Sequence, residues 1–309
     1  METWRPPDLV LRRAALAEGW SDDELQRQIA RGELTRIRPG AYLPGTPDSH
    51  PTVRHHELVT ATLAALRRPA VVSHQSAAVL HGLPLWGVPL DRVHVTRRPP
   101  ASSAVGRYLC CHVAGLADDD VVLVDGVAVT SPARTLLDLA RAVPFEPAVV
   151  LLDAALYRRM VDRLALDERV ARLGRVPGAR SAARAVRFAD SRSESVGESR
   201  SRVLLARIGL APTTLQLEVH RHDGAFLGRA DFGWEDARLL GEFDGRIKYG
   251  RLLRPGQDPG DAVFEEKRRE DAFRDEDWGV VRWTWGELTP AVLGPRVLRA
   301  RERGRRRLG

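Results

Sequence analysis

Apolar positions near the N-terminus recur at helical spacing. Leu9, Val10, Ala14, Leu16 and Ala17 share one face, and Gly19 stops that helix. Ser21-Asp22-Asp23-Glu24 reads as a capping box opening a second helix, which continues through Leu25, Ile29 and Ala30 to Gly32. The period then switches to two. Leu34 to Arg38 alternates, Pro39-Gly40 turns, and Ala41-Tyr42-Leu43 returns as a hairpin. Two helices followed by a basic hairpin predict a winged helix-turn-helix over residues 1–48, with Arg27, Arg31, Arg36 and Arg38 placed to touch DNA. A small helical cap without a ligand is the competing expectation.

Residues 49–167 alternate helical and strand patterns and predict a mixed αβ domain. Helices are expected over 55–66, from Ser73 to Gly82, and over 149–156. A strand falls on 93–96, and a hairpin on 121–129 turns at Asp125-Gly126. Pro132 sits where a first helical turn tolerates it, ahead of Thr135 to Ala140. His55, His56, His74, His81, His94 and His112 show neither metal-ligand spacing nor a paired nucleophile, so structural roles are expected for them. Residues 168–194, rich in Arg, Gly, Ala and Ser, read as a linker carrying a short helix over 181–188.

The pattern over 195–289 is helix, three strands, helix, strand. Gly209 stops the first helix, and Asp223-Gly224 and Trp234-Glu235-Asp236 mark the turns. A charged helix over 262–275 precedes the last strand, 279–285. A turn near Asp236 puts Asp231 opposite Glu242, and Asp244, two residues on, points the same way as Glu242. Carboxylates that close raise one another's proton affinity, and a hard divalent cation, Mg2+ (or Mn2+), relieves the repulsion. Glu198 on the preceding helix adds a fourth carboxylate. Such a metal lowers the pKa of a bound water and stabilises charge on a phosphodiester in transition, while Lys248 supplies a nearby positive charge. Placement of these acids on a solvated sheet face is the alternative.

Composition narrows the class. The 309-residue chain is 43% hydrophobic, enough for globular cores. Its formal charge is +7, and residues 290–309 form a basic tail. Arg303, Arg305, Arg306 and Arg307 there suit a phosphate-binding arm, although a solubilising end fits as well. Arginine stands almost everywhere in place of lysine, as a GC-rich coding bias would produce, which weakens inference from single arginines. Adjacent Cys110 and Cys111 suit neither a mutual disulfide nor a zinc site and fit a reducing cytoplasm. No signal pattern and no apolar run of bilayer length occurs, so a cytoplasmic protein with no membrane association is expected. No Gly-rich phosphate loop or nucleophile elbow supports small-molecule catalysis.

Two resemblances sharpen these expectations. Glu198-Ser199, Gly209-Leu210, Gln216, Asp231, Glu242-Phe243-Asp244-Gly245, Arg269 and Gly279-Val280-Val281-Arg282 make residues 195–289 similar to very-short-patch-repair-like endonuclease domains of the PD-(D/E)XK superfamily. The resemblance implies a restriction-endonuclease-like α-β-β-β-α-β fold, Asp231 and Glu242 as metal ligands, and Glu198 as the helix acid. One departure is plain: Asp244 stands where that family carries lysine, so either Lys248 supplies the charge from a displaced position or the domain binds DNA without cutting it. Residues 8–45, Ser76-Ala77-Ala78 with His81-Gly82, and Thr130 to Asp138 resemble the AbiEi-like type IV antitoxins. That resemblance implies a winged-helix transcriptional regulator with a cognate toxin partner. The combined expectation is a multidomain α/β (α+β) DNA-binding protein. It is either a metal-dependent endonuclease in phage defence or DNA repair, or a non-catalytic repressor built on a nuclease scaffold.

Overall fold

Residues 9–46, 48–245 and 268–308 are described by a computed structural model. They divide into two units, Met1–Leu151 with Val161–Arg187 and Leu152–Met160 with Phe188–Gly309. The protein is of mixed α/β class. Among the described residues it holds a three-stranded, a six-stranded and a four-stranded sheet.

The first unit opens on β1 (Val10–Leu11), α1 (Arg12–Ala17), α2 (Asp22–Ala30), β2 (Leu34–Arg38) and β3 (Ala41–Pro44). Val10 and Leu11 pair with Tyr42 and Ala41 rather than extending the first helix, giving the sheet order β1-β3-β2. Ser21 caps α2 by accepting from the Glu24 amide at 3.1 Å. The reciprocal half of the capping box is replaced, because the Glu24 carboxylate accepts from Arg27 and Gln28 instead. Ala15, Leu25, Leu34 and Tyr42 form this segment's core.

The unit continues with α3 (Pro51–Leu63), β4 (Val71–Val72), α4 (His74–Leu80), β5 (Val93–Arg97), β6 (Ala104–Val105), β7 (Leu109–Val113), β8 (Val121–Val124), β9 (Val127–Thr130) and α5 (Pro132–Ala142). The strands lie in the order β6-β7-β5-β4-β9-β8. The β8–β9 hairpin turns at Asp125 and Gly126, with φ of 49° and 78°, the positive-φ pair that a two-residue turn requires. Helices α6 (Phe145–Tyr157), α7 (Arg163–Arg172) and α8 (Ala179–Phe188) follow. Residues 168–172, expected in a linker, are therefore helical, and Leu166 on α7 is fully buried.

The second unit holds α9 (Val196–Arg207), β10 (Thr214–His220), β11 (Phe226–Trp234), β12 (Leu239–Asp244), helical residues 268–275 (α10), β13 (Gly279–Thr284) and α11 (Pro290–Leu308). The sheet runs β10-β11-β12-β13, antiparallel except for the parallel β12–β13 pair. Phe232, Trp234, Leu239, Phe243, Val281 and Trp283 pack with Leu204 and Leu205 of α9 and Leu293 and Val297 of α11. Val219, Ala230 and Leu240 pack with Phe273 of α10. The sheet is thus covered on both faces, which explains why β12 is almost continuously buried.

The basic C-terminal segment is a helix, not an extended arm. Leu293, Val297, Ala300 and Gly304 are buried at the spacing of one helical face, leaving the arginines to the other. Gly304 lies against the Ala237 carbonyl, where an added Cβ would sit 1.9 Å from the oxygen. Gly304→Ala is therefore expected to destabilise the protein by about 1–3 kcal/mol, read as a lowered thermal midpoint. Gly286→Ala, where nothing lies within 4 Å of an added Cβ, should leave the midpoint nearly unchanged.

Candidate active site

The helix α9 begins on its own capping interactions. The Ser195 hydroxyl accepts from the Glu198 amide at 3.2 Å and donates to Glu198 Oε1 at 2.7 Å. The Glu194 amide and Gln216 Nε2 each donate to Glu198 Oε2 at 2.9 Å. Gln216 has φ of 53° inside β10, the left-handed region that costs a non-glycine residue energy. Among the described residues no cation is bonded to Glu198. Burial first, and the charge of Asp231 second, push its carboxyl up to about 7.

Asp231 sits on β11 in the register expected from the turn. Phe232 pairs with Gly241 and Gly233 with Leu240, which carries Asp231 toward Glu242. One Asp231 oxygen accepts from the Phe243 amide at 2.8 Å. Glu242, however, is committed elsewhere. Its Oε1 accepts from Arg269 of α10 at 2.9 Å and its Oε2 from Arg282 of β13 at 2.7 Å. Arg282 also reaches Glu270 at 2.6 Å. Strand alternation places Glu242 with Leu240 on the face that α10 covers, while Leu239 and Phe243 pack on the other.

Asp231, Glu242 and Asp244, expected to share one cation, do not form a compact group of ligand atoms among the described residues. Among the described residues no three of these acids, with or without Glu198, bring carboxylate oxygens within 4.8 Å of one another. The physical reason is that paired guanidinium groups supply Glu242 with the positive charge that a metal was expected to bring. Glu198 and Asp231 remain electrostatically coupled. Asp244, half-buried, ends β12 beside Thr284. Lys248 lies outside the described residues.

The arginines expected to touch DNA are unequally free to do so. Arg31 and Arg36 are exposed, while exposed Arg27 pairs with Glu24. Arg38 is half-buried, with its guanidinium 5.7 Å from the Tyr108 ring centre. On α11, Arg303, Arg306 and Arg307 are exposed, whereas Arg305 joins Arg301 on Asp236. The Asp236 pairs are not visible in the sequence because the acid lies 65 and 69 residues from Arg301 and Arg305, whereas Arg27–Glu24 has the i,i+3 spacing of neighbours on a helix.

No family model matches the chain. Two Mycobacterium tuberculosis relatives, the uncharacterized proteins MT2308 (strain CDC 1551 / Oshkosh) and Rv2248 (strain ATCC 25618 / H37Rv), are each 29% identical over 230 residues. The match covers 72% of this chain and 77% of theirs. The crystal structure of the RV2827C protein from Mycobacterium tuberculosis aligns with a TM-score of 0.40 and 16% identity, covering 70% of this chain and 84% of that one. Among the described residues no helix is long and apolar enough to cross a membrane.

The raised Glu198 carboxyl makes a signed prediction. The folded state binds this proton more tightly than the unfolded chain, so stability falls as pH rises from about 4.5 to about 7. Glu198→Gln should flatten that part of the profile by on the order of 1–3 kcal/mol, measured as urea midpoints at pH 5 and pH 8. An equal slope in both proteins would remove Glu198 as its source.

Proposed function

We propose that the chain is a DNA-binding regulator or antitoxin of the AbiEi-like kind, whose C-terminal unit uses a restriction-endonuclease-like scaffold without cutting. The observation carrying this reading is the Glu242 carboxylate, both of whose oxygens accept from guanidinium groups. Replacing two well-placed arginines with a hydrated dication would cost the interactions that make this carboxylate tolerable under burial. Two helices and an arginine-bearing hairpin support a winged-helix mode of docking, with Arg31 and Arg36 exposed for phosphate or base contact. A cognate toxin is the protein partner this reading implies.

A second reading is favoured by one specific observation. Glu198 is pushed up to about 7 by burial first and by the charge of Asp231 second, so the two carboxylates are near enough to interact. Bound Mg2+ or Mn2+ there would relieve that coupling and suit a metal-dependent endonuclease in phage defence or DNA repair.

Supercoiled plasmid incubated with Mg2+ or Mn2+ separates the two. The regulator reading expects no nicking by the wild type. Nicking by the wild type that disappears in Asp231→Ala/Glu242→Ala would overturn it in favour of the nuclease. Fluorescence anisotropy with duplex DNA tests the docking surface independently. Arg31→Ala/Arg36→Ala should weaken binding and lower the slope of log affinity against log salt by about 2, roughly one for each phosphate that is no longer neutralised. Arg303→Ala/Arg306→Ala applies the same measurement to α11 without removing its buried face, and an unchanged slope would exclude that helix from the interface.

A further inference from the structure

Three histidines that the sequence scatters are brought together in the first unit. His94 lies on β5, His112 on β7 and His74 at the start of α4. Because β5 and β7 pair in parallel with His94 beside Cys110, and because Cys110 and His112 are two residues apart, all three side chains share one sheet face. His94 Nδ1 lies 2.9 Å from His112 Nε2, and Cys110 Sγ lies 3.6 Å from the same nitrogen. Nitrogen atoms of His74, His94 and His112 all fall within 4.8 Å of one another, the only such group of potential ligands among the described residues.

We infer that His74, His94 and His112 form a Zn2+ site that ties the start of α4 to the β5–β7 pair, with Cys110, whose Sγ touches His112 Nε2 but lies outside the three-nitrogen group, turning in as the fourth donor when the ion binds. The donor set is the one zinc selects, imidazole nitrogen with thiolate sulfur. A tetrahedral ion with Zn–N near 2.0–2.1 Å and Zn–S near 2.3 Å separates two nitrogens by about 3.3 Å and a nitrogen from a sulfur by about 3.6 Å. The Cys110–His112 distance already matches, and the His94–His112 pair needs to open by only a few tenths of an ångström.

Two further features suit ligation. The far nitrogen of His94 lies 2.7 Å from the Gln75 amide, and the His74 Nδ1 lies 3.0 Å from the Ser73 hydroxyl. As placed, the Gln75 nitrogen faces His94 Nε2 and donates to the Pro89 carbonyl at 3.4 Å; on metal binding the amide turns over, giving up that long bond so that its oxygen accepts from His94 Nε2–H while Nδ1 faces the ion. His74 has φ of 52°, a left-handed backbone at a non-glycine residue, and its ring stacks on His112 with centroids 3.8 Å apart. Joint ligation by His74 and His112 requires that ring to rotate out of the stack. All four side chains are half-buried, which leaves an ion a path in.

The test uses the full-length protein, stripped by a chelator and titrated first with Co2+ as a spectroscopic probe, then with Zn2+. One equivalent of Co2+ should give tetrahedral d–d bands and a thiolate-to-cobalt charge-transfer band, all bleached by Zn2+, and Zn2+ should raise the thermal midpoint. Cys110→Ser should lose the charge-transfer band and keep the d–d bands. Gln75→Leu should weaken binding roughly tenfold, and His94→Gln and His112→Asn should abolish stoichiometric binding while circular dichroism reports a folded chain. If His112→Asn fails to fold, His94→Gln and Cys110→Ser decide the matter. Absence of saturable binding by folded wild type, wild-type affinity in His94→Gln, or an undiminished charge-transfer band in Cys110→Ser overturns the site and leaves a hydrogen-bonded histidine cluster.

Discussion

A carboxylate that leaves water is stabilised by positive charge, and for most of the buried acids among the described residues an arginine supplies it. Asp153, completely buried, accepts at both oxygens from Arg202. Arg134 bridges Asp120 and Asp138, and Arg169 adds a second bond to Asp120 at 2.6 Å. Glu242 follows the same rule with Arg269 and Arg282. The planar fork of the guanidinium serves two acids at once, as Arg134 and Arg282 both do.

Glu198 departs from that rule, and the departure makes it chemically informative. Its described partners are a hydroxyl, a backbone amide and a side-chain amide, none of them a full positive charge. Burial beside Asp231 then raises its proton affinity, because the ionised form lacks compensation. The acids of the second unit therefore fall into two electrostatic states. Glu242 is paired with two arginines, whereas Glu198, pushed up to about 7, has no such partner among the described residues. This contrast separates the regulator reading from the nuclease reading more sharply than the mere presence of the acids does.

Local signals in the sequence are reliable where one residue decides a local geometry. Ser21 accepts the amide bond its capping position requires, Asp125-Gly126 takes the positive φ values of a tight hairpin, and Pro132 occupies the first turn of α5. The turn after Trp234 is enough to set the Asp231–Glu242 register, because side-chain period and loop length together leave little choice. The α11 helix is harder to see. Its arginine content suggests a solvated tail, while the buried stripe of Leu293, Val297, Ala300 and Gly304 is sparse and ends in a glycine. The histidine cluster is hidden for a different reason. Cys110 and His112 alternate on one strand, a weak local sign, but the partner strand carrying His94 lies beyond another connection.

By itself the amino-acid order determined the mixed α/β class, the positions of most helices and strands, and the candidate acids, because capping, periodicity and turn chemistry act over a few neighbouring residues. Only the tertiary structure decided which charges and ring nitrogens meet. Arg269 and Arg282 close on Glu242 from a helix and a parallel strand, and His74 reaches His94 and His112 from a helix start. Those meetings depend on strand order and on layers packing across a sheet, and neither is encoded in the spacing of the residues concerned.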